Sequence, residues 1–195
     1  MKKKIIITGG LGYIGTELCK LYSGVSWHHD ITVIDNRFIS ERVNQLRNWN
    51  MEFIQGDILN KDLMKKYCSD ADVVHHLAGV TEVPRTKTEA SEEQDEKIKE
   101  VGIKGTQNIL DVIKKNCKII FPSTHVVYEG INKVRTDIKE DEPTKPILSY
   151  SSSKAVNEDQ LKKSGKNYII LRLGSVYGYS TDTMRIDIMP NLFSK

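Results

Sequence analysis

The sequence has few cysteines and no long apolar run. Cys19, Cys68 and Cys117 lie far apart and form neither a Cys-x-x-Cys motif nor a Cys-His cluster. Such a set is typical of reduced thiols in a cytoplasmic protein and excludes a disulfide scaffold. No apolar stretch approaches the roughly 20 residues that cross a membrane, and the short run Ile5–Ile7 ends before a signal peptide could form. We therefore expect a cytoplasmic chain with no metal site and no membrane association.

The sequence also lacks a strong excess of charge. Its 29 basic and 26 acidic residues leave a formal net charge of +3 over 195 residues, too little to indicate a nucleic-acid partner. The lysine-rich patches are interpreted as solvated helix faces. Hydrophobic residues make up 38% of the chain, which is enough to bury a core.

Short apolar runs alternate with longer amphipathic segments along the chain. Predicted strands cover Lys4–Thr8, Ile31–Asp35, Met51–Gln55, Ala71–Leu77, Lys118–Phe121 and Tyr168–Leu173. Predicted helices cover Ile14–Leu21, Arg42–Trp49, Lys61–Tyr67, Glu89–Lys115 and Tyr150–Lys163. This alternation predicts an α/β fold: a Rossmann-like, doubly wound parallel sheet with helices on both faces.

Three glycines stand between the first predicted strand and the first helix. Gly9, Gly12 and Gly15 would allow a tight turn and a close approach of the backbone to a phosphate at the helix N-terminus. A glycine-rich turn alone could be an ordinary strand-to-helix connection. Here an acid, Asp35, ends the second strand about 20 residues after the last glycine, as dinucleotide binding requires. The pattern predicts a nicotinamide dinucleotide as cofactor.

Two acidic residues are candidates for the adenosine end of that cofactor. Asp35 would accept hydrogen bonds from the ribose hydroxyls and repel a 2′-phosphate, which favours NAD, although Arg37 is close enough to offer a phosphate partner. Asp57 could accept a bond from the adenine amino group. It could equally be the N-cap of the helix that follows.

Tyr150 and Lys154 are spaced four residues apart at the start of a predicted helix, which puts both on one face. A lysine ammonium near a phenol favours the phenolate, so the pair could remove a proton from a sugar or alcohol hydroxyl. The same spacing also occurs in ordinary surface pairs. Thr124, which follows the fifth strand, could hold the same substrate oxygen or merely cap the strand end.

Taken together, these motifs resemble the extended short-chain dehydrogenase/reductase family of NAD-dependent nucleotide-sugar epimerases and dehydratases. The matching segments run in family order over nearly the whole chain. They are Thr8–Gly15, Asp35, Gly56-Asp57, His76–Gly79, Gly105-Thr106, Ser123–Tyr128, Tyr150–Lys154 and Leu171–Gly178.

The resemblance implies a catalytic triad of Thr124, Tyr150 and Lys154. It assigns Asp57 to the adenine, Ala78-Gly79 to the nicotinamide half of NAD, and Lys154 to the nicotinamide ribose as well. The implied cofactor-binding residues are Gly9, Gly12, Tyr13, Ile14, Gly15, Asp35, Asn36, Asp57, Ile58, Leu77, Ala78, Gly79, Tyr150 and Lys154. The implied substrate contacts are Val80, Thr124, His125 and Ser175.

The chain departs from the family pattern at three positions. His125-Val126 replaces the Asp-Glu pair with which 4,6-dehydratases remove water, so an epimerase is expected instead. Gly102 stands where the family often has an asparagine that supports the active-site lysine. Ser175 replaces an asparagine that contacts the substrate diphosphate in many epimerases.

Family members continue into a smaller C-terminal lobe that grips the nucleotide. The expectation is therefore a cofactor domain over residues 1–180, with 181–195 as the beginning of a truncated substrate lobe. The expected substrate is a nucleotide-diphosphate sugar, oxidised transiently at C4, and a homodimer could form through the helices Glu89–Lys115 and Tyr150–Lys163. The alternatives are an NAD(P)-dependent reductase, dehydrogenase or decarboxylase of the same family, and a non-catalytic NAD-binding module.

Overall fold

The computed structural model describes residues 2–80 and 91–180, which form a parallel sheet flanked by helices. The strands are β1 (Lys3–Thr8), β2 (His29–Asp35), β3 (Glu52–Gln55), β4 (Val73–His76), β5 (Lys118–Thr124) and β6 (Asn167–Leu173). The α-helices are α1 (Tyr13–Ser23), α2 (Ser40–Asn48), α3 (Lys61–Cys68), α4 (Glu92–Lys99), α5 (Gly105–Val112) and α6 (Ser149–Lys163). None of the helices in these ranges combines the length and the apolar character that a bilayer crossing requires.

The six strands lie in the order β3-β2-β1-β4-β5-β6, and all neighbouring pairs are parallel. The chain runs outward from β1 to β3 and then returns to place β4 on the other side of β1. The carboxyl ends of β1 and β4 therefore meet where the strand order reverses. In open α/β sheets this reversal creates the crevice in which ligands bind.

Alternating side chains of the central strand build two separate cores. Ile5 and Ile7 face α1 and α2 and pack in one cluster with Cys19, whereas Ile6 faces the opposite cluster with Met64. Helices α3, α5 and α6 supply the second cluster. A strand buried on both faces reads as a continuous apolar run, and this explains the Ile5–Ile7 triplet.

The face of the sheet on which α1 and α2 pack is only half covered by the described residues. Ile170 of β6 packs against the α3, α5 and α6 cluster, so its neighbours Ile169 and Leu171 face the other way. Both are exposed, at 40% and 43%. The sheet edge at β6 thus presents apolar side chains to solvent.

The structure confirms the parallel α/β fold but changes two predicted elements. The predicted helix Glu89–Lys115 is divided into α4 and α5 by a π-helical turn at Glu100–Lys104, and residues 89 and 90 lie outside the described part. Gly102 lies within this turn and faces Ser153 and Asn157 of α6. The side-chain amides of Asn157 and Gln160 donate to the carbonyls of Gly102 and Ile103, at 3.0 and 3.1 Å.

The second change lengthens the fifth strand. β5 continues three residues beyond its predicted end at Phe121, because Pro122, Ser123 and Thr124 stay in register with β6. Thr124 therefore ends the strand itself instead of following it.

Candidate functional site

The turn between β1 and α1, residues 9–15, is called the cradle, and its shape depends on glycine. Gly9 adopts a left-handed backbone with φ 72°, and a Cβ there would lie 2.6 Å from the backbone nitrogen of Ala78. A Cβ on Gly15 would lie 2.4 Å from the carbonyl oxygen of Gly9, so neither position has room for a side chain. Gly12 is the N-cap of α1 and provides no side-chain cap. The first N–H groups of α1 are thus available to an anion such as a pyrophosphate.

Tyr13 and Ile14, in the first turn of α1, are the other residues of the cradle that are predicted to bind the cofactor. Ile14 is 37% exposed. The phenol of Tyr13 donates a 2.6 Å hydrogen bond to the carbonyl of Gly178. Ser180 donates to Glu17 on the same helix at 2.7 Å. The segment that follows β6 is therefore tied to α1 beside the glycine turn.

Asp35 lies at the carboxyl end of β2, where its side chain is almost fully buried. Its Oδ2 accepts a 3.0 Å hydrogen bond from the backbone N–H of Leu11 in the glycine turn. Its Oδ1 accepts bonds from the backbone N–H and the Nε of Arg37, at 3.0 and 3.3 Å. The structure thus joins the predicted ribose carboxylate to the cradle and also to a neighbouring guanidinium.

Asp57 and Asn36 lie next to each other after β3 and β2. The Asn36 amide is 3.4 Å from an Asp57 carboxylate oxygen. Asp57 accepts a bond from the N–H of Leu59, whereas the N-cap of α3 is Asn60, whose side chain accepts from Leu63 at 3.0 Å. The alternative interpretation of Asp57 as the helix N-cap is therefore wrong.

Ile58, the next predicted cofactor residue, is buried with 4% exposure in the core. Its side chain packs against Gly105, where an added Cβ would lie 2.3 Å from Ile58 Cδ1. Its carbonyl accepts from the amide of Asn108 at 3.1 Å. Since the side chain faces the core, only the backbone of Ile58 is left to meet a cofactor.

A buried hydrogen-bond chain supports the segment Leu77–Gly79 after β4. Thr8 Oγ1 lies 2.9 Å from His76 Nδ1, and His76 Nε2 lies 3.0 Å from Thr106 Oγ1. The same Thr8 hydroxyl accepts from the N–H of Ala78 at 3.3 Å. Burial lowers the pKa of His76 to about 3, with a smaller contribution from the Lys154 charge, so the ring is neutral. Sequence reasoning missed this support, although His76 and Thr106 both lie in the motifs.

Tyr150 and Lys154 line one pocket together with the segment that follows β4. The pocket wall comprises Ala78, Gly79, Val80, Ile98, Gly102, Thr106, Phe121, Tyr150, Ser153, Lys154 and Asn157. The structure therefore brings together the predicted proton-transfer pair, the predicted nicotinamide segment and the predicted substrate residue Val80.

Lys154 is held in position by two residues of β5. Its Nζ donates a 3.0 Å hydrogen bond to the carbonyl of Pro122 and lies 4.4 Å from the centre of the Phe121 ring. The same nitrogen is 5.8 Å from the centre of the Tyr150 ring. Burial lowers the pKa of Lys154 from 10.5 to about 8, which leaves the ammonium the major form at neutral pH.

Thr124 and His125 lie at the carboxyl end of β5 and are not part of that pocket's wall. Thr124 is buried, and its hydroxyl accepts a 3.3 Å hydrogen bond from the N–H of Val126. The threonine thus caps the short 3₁₀ turn His125–Tyr128. The imidazole of His125 is 3.1 Å from the carbonyl of Leu173, so it bridges the ends of β5 and β6.

Ser175 and Gly102 are the remaining departures from the family pattern. Ser175 is exposed in the segment after β6. Gly102 is part of the pocket wall, and its carbonyl accepts from Asn157 of α6. An asparagine side chain does reach this part of the pocket, but it comes from the helix that carries Tyr150 and Lys154.

A buried ion pair next to Thr124 was also missed by sequence reasoning. Glu158 of α6 accepts from Arg172 of β6 at 2.6 and 2.9 Å and from the Ser123 hydroxyl at 2.6 Å. Arg172 lies over the ring of Tyr128, 5.1 Å from its centre. A glutamate four residues after Lys154 and an arginine inside an apolar strand were the available signals, but their pairing depends on the register of β5 and β6.

Comparisons with known proteins agree with this geometry. The profile described as "NAD dependent epimerase/dehydratase family" matches residues 5–194. CDP-paratose 2-epimerase from Salmonella typhi is 30% identical over 205 residues, covering 90% of this chain and 58% of that protein. UDP-N-acetyl-alpha-D-glucosaminuronate decarboxylase from Bacillus cytotoxicus is 35% identical over 130 residues, covering 66% of this chain and 38% of that protein.

A solved structure extends the likeness to three dimensions. UDP-glucuronic acid 4-epimerase from Bacillus cereus, in complex with UDP-glucuronic acid and NAD, superposes with a TM-score of 0.77 at 28% identity. The match covers 96% of this chain and 60% of that one, and the matches above cover 58% of the paratose epimerase and 38% of the decarboxylase. The chain therefore spans only part of the length of these relatives. The glycine cradle, the sheet order and the profile match together show that the chain belongs to the NAD-dependent epimerase/dehydratase family.

Proposed function

We propose that the chain carries the cofactor-binding and catalytic part of a nucleotide-sugar epimerase. The observation that carries the proposal is the shared pocket of Tyr150, Lys154 and the segment Ala78–Val80. It lies at the carboxyl edge of the sheet, and Gly9 of the cradle packs directly on Ala78. Proton-transfer groups and a dinucleotide cradle are thus adjacent.

The glycine turn fits the pyrophosphate of NAD because side chains at Gly9 and Gly15 would close it and no side chain caps α1. Gly12, Tyr13 and Ile14 would hold the pyrophosphate, Asp35 the adenosine ribose, and Asn36, Asp57 and the Ile58 backbone the adenine. Leu77–Gly79, Tyr150 and Lys154 would hold the nicotinamide half. When bound, NAD supplies a reversible hydride acceptor for the sugar C4 carbon.

Tyr150 would take the proton of the C4 hydroxyl, and the charge of Lys154 would stabilise the negative oxygen that results. Thr124 would hold the same sugar oxygen, while Val80, His125 and Ser175 would contact the rest of the substrate. Return of the hydride to the opposite face of C4 and of the proton to the C4 oxygen would give the epimer. We propose that residues 1–180 form the cofactor domain and that the substrate lobe begins with residues 181–195. These last residues lie outside the described part of the chain.

The proposal is tested by comparing Tyr150→Phe with Tyr168→Phe, a phenol on the exposed edge strand. Calorimetry measures NAD binding, and chromatography measures interconversion across UDP-, GDP- and dTDP-sugars. We expect Tyr150→Phe to abolish interconversion and keep NAD binding, whereas Tyr168→Phe keeps both. An active Tyr150→Phe variant would refute the assignment.

The same assay separates the rival functions. Stoichiometric consumption of the cofactor would indicate a one-way reductase, dehydrogenase or decarboxylase, whereas an epimerase recycles it. NAD binding without any sugar binding would show a non-catalytic module. We further propose a cytoplasmic homodimer formed through the predicted helices Glu89–Lys115 and Tyr150–Lys163, which correspond to α4, α5 and α6. In one chain α4 and α5 both pack against α6. Light scattering measures the mass of the assembly.

A further inference from the structure

The adenosine end of the cradle contains a positive charge beside its carboxylate. The side chain of Arg37 is 56% exposed, whereas that of Asp35 is 4% exposed. Both the backbone N–H and the Nε of Arg37 donate to Asp35 Oδ1. The negative charge that would repel a phosphate on the ribose is therefore balanced by a guanidinium within the protein.

The guanidinium also extends over the glycine turn. Arg37 Nη2 lies 3.8 Å from the point that a Cβ of Gly12 would occupy, so it reaches from the end of β2 to the N-cap of α1. Among residues 2–80 and 91–180, its two terminal nitrogens have no hydrogen-bond partner. A second arginine, Arg42, donates to the carbonyl of Leu11 in the same turn and adds positive charge there.

We infer that Arg37 allows the cradle to accept a dinucleotide phosphorylated at the adenosine 2′-oxygen, so that the chain binds NADP as well as NAD. The planar fork of terminal nitrogens matches a phosphate, and the Asp35 bond orients it. Within the described part of the chain, Asp35 Oδ2 accepts from Leu11 alone and keeps a lone pair for an unphosphorylated ribose hydroxyl. The inference rests on the cofactor cradle of the proposed function and not on its sugar chemistry.

The test is calorimetry on the full 195-residue chain with four ligands: NAD, NADP, AMP and adenosine 2′,5′-bisphosphate. The last two differ from each other in the 2′-phosphate alone. We expect NADP to bind within about tenfold of NAD. Arg37→Gln should weaken the binding of NADP and the bisphosphate by about tenfold or more, because a charge-assisted bond is lost. It should change the binding of NAD and AMP by less than about threefold.

Arg47→Gln is the matched control, since Arg47 is exposed in the last turn of α2 and its loss changes the net charge equally. It should leave the binding of all four ligands unchanged. Equal weakening of NAD and NADP in Arg37→Gln would assign the guanidinium to the pyrophosphate or the adenine and overturn the inference. Discrimination against NADP by more than about 100-fold in the unmodified chain would also overturn it.

These outcomes are independent of the reaction. Rejection of NADP with intact NAD binding overturns only the role of Arg37. Binding of both cofactors combined with an active Tyr150→Phe variant overturns only the proposed function.

Discussion

Removing one side of the Glu158–Arg172 ion pair should destabilise the chain far more than removing both. The side chains of Glu158 and Arg172 are 1% and 14% exposed, and their two hydrogen bonds are 2.6 and 2.9 Å long. Ser123 occupies a further acceptor position on the carboxylate. Glu158→Leu leaves the guanidinium without its buried counter-ion, and its remaining contacts with Tyr128 and the carbonyl of Glu140 do not replace the attraction of a carboxylate.

The magnitude follows from the burial of the pair. Breaking a buried pair from one side costs about 3–5 kcal/mol, which lowers Tm by roughly 6–20 °C in a chain of this size. Replacing both partners with Leu and Met retains apolar volume and should cost no more than about 2 kcal/mol. Urea unfolding followed by circular dichroism, with both single variants and the double variant, gives the coupling free energy. A double variant as unstable as the sum of the single variants would refute the reasoning.

The pair also predicts how stability depends on pH. Burial raises the pKa of Glu158, but the hydrogen bonds from Arg172 and Ser123 outweigh burial and leave the pKa below its ordinary value of 4.5. A carboxyl with a depressed folded-state pKa contributes its full stability above 4.5 and loses it as the pH falls through the folded value. As the pH falls below 4.5, the parent should therefore lose more unfolding free energy than the double variant. A difference between the two that stays constant with pH would contradict this.

Three further predictions concern separate parts of the fold. Gly15→Ala should abolish measurable NAD binding in calorimetry because its Cβ would lie 2.4 Å from the Gly9 carbonyl, whereas Gly24→Ala, with open space around it, should bind normally. Asn60→Ala removes the N-cap of α3 and should lower the unfolding free energy in urea by about 1 kcal/mol; no loss would show that the cap is replaceable. Lys154 binds fewer protons when folded between pH 8 and 10.5, so the stability of the parent relative to Lys154→Met should rise across that window. A flat difference in urea titrations would refute a buried ammonium.

The sequence predicted features that depend on local pattern. Three β-branched residues before a glycine turn predict a buried strand entering a helix, and Asp35 lies at the strand end that such a unit requires. Tyr150 and Lys154 share a helix face whatever the rest of the fold does. These parts needed no knowledge of distant neighbours, and the structure has the predicted parallel sheet around them.

Features that depend on distant partners could not be predicted. The N-cap of α3 is Asn60, about one helical turn after the residue considered from the sequence, Asp57. Propensity alone does not determine where a helix begins. The π-helical turn at Glu100–Lys104 forms where amides from α6 meet freed carbonyls, and α6 is about 50 residues away in sequence. Arg37 and Asp35 are close in sequence, so their pairing is local. That the Arg37 guanidinium extends across the glycine turn becomes apparent only in the three-dimensional structure.

The geometry of the proposed catalytic groups is set by contacts between α6 and β5. Lys154 donates to the carbonyl of Pro122, and four residues later Glu158 accepts from the hydroxyl of Ser123. One helical turn of α6 is thus fastened to two consecutive residues of β5, and the next residue in the strand is Thr124. Because both contacts join α6 directly to β5, they position Lys154 relative to Thr124 without a contribution from a substrate lobe. In the proposed function, such a lobe would contribute affinity and sugar specificity, while the sheet and α6 position the proposed proton-transfer groups.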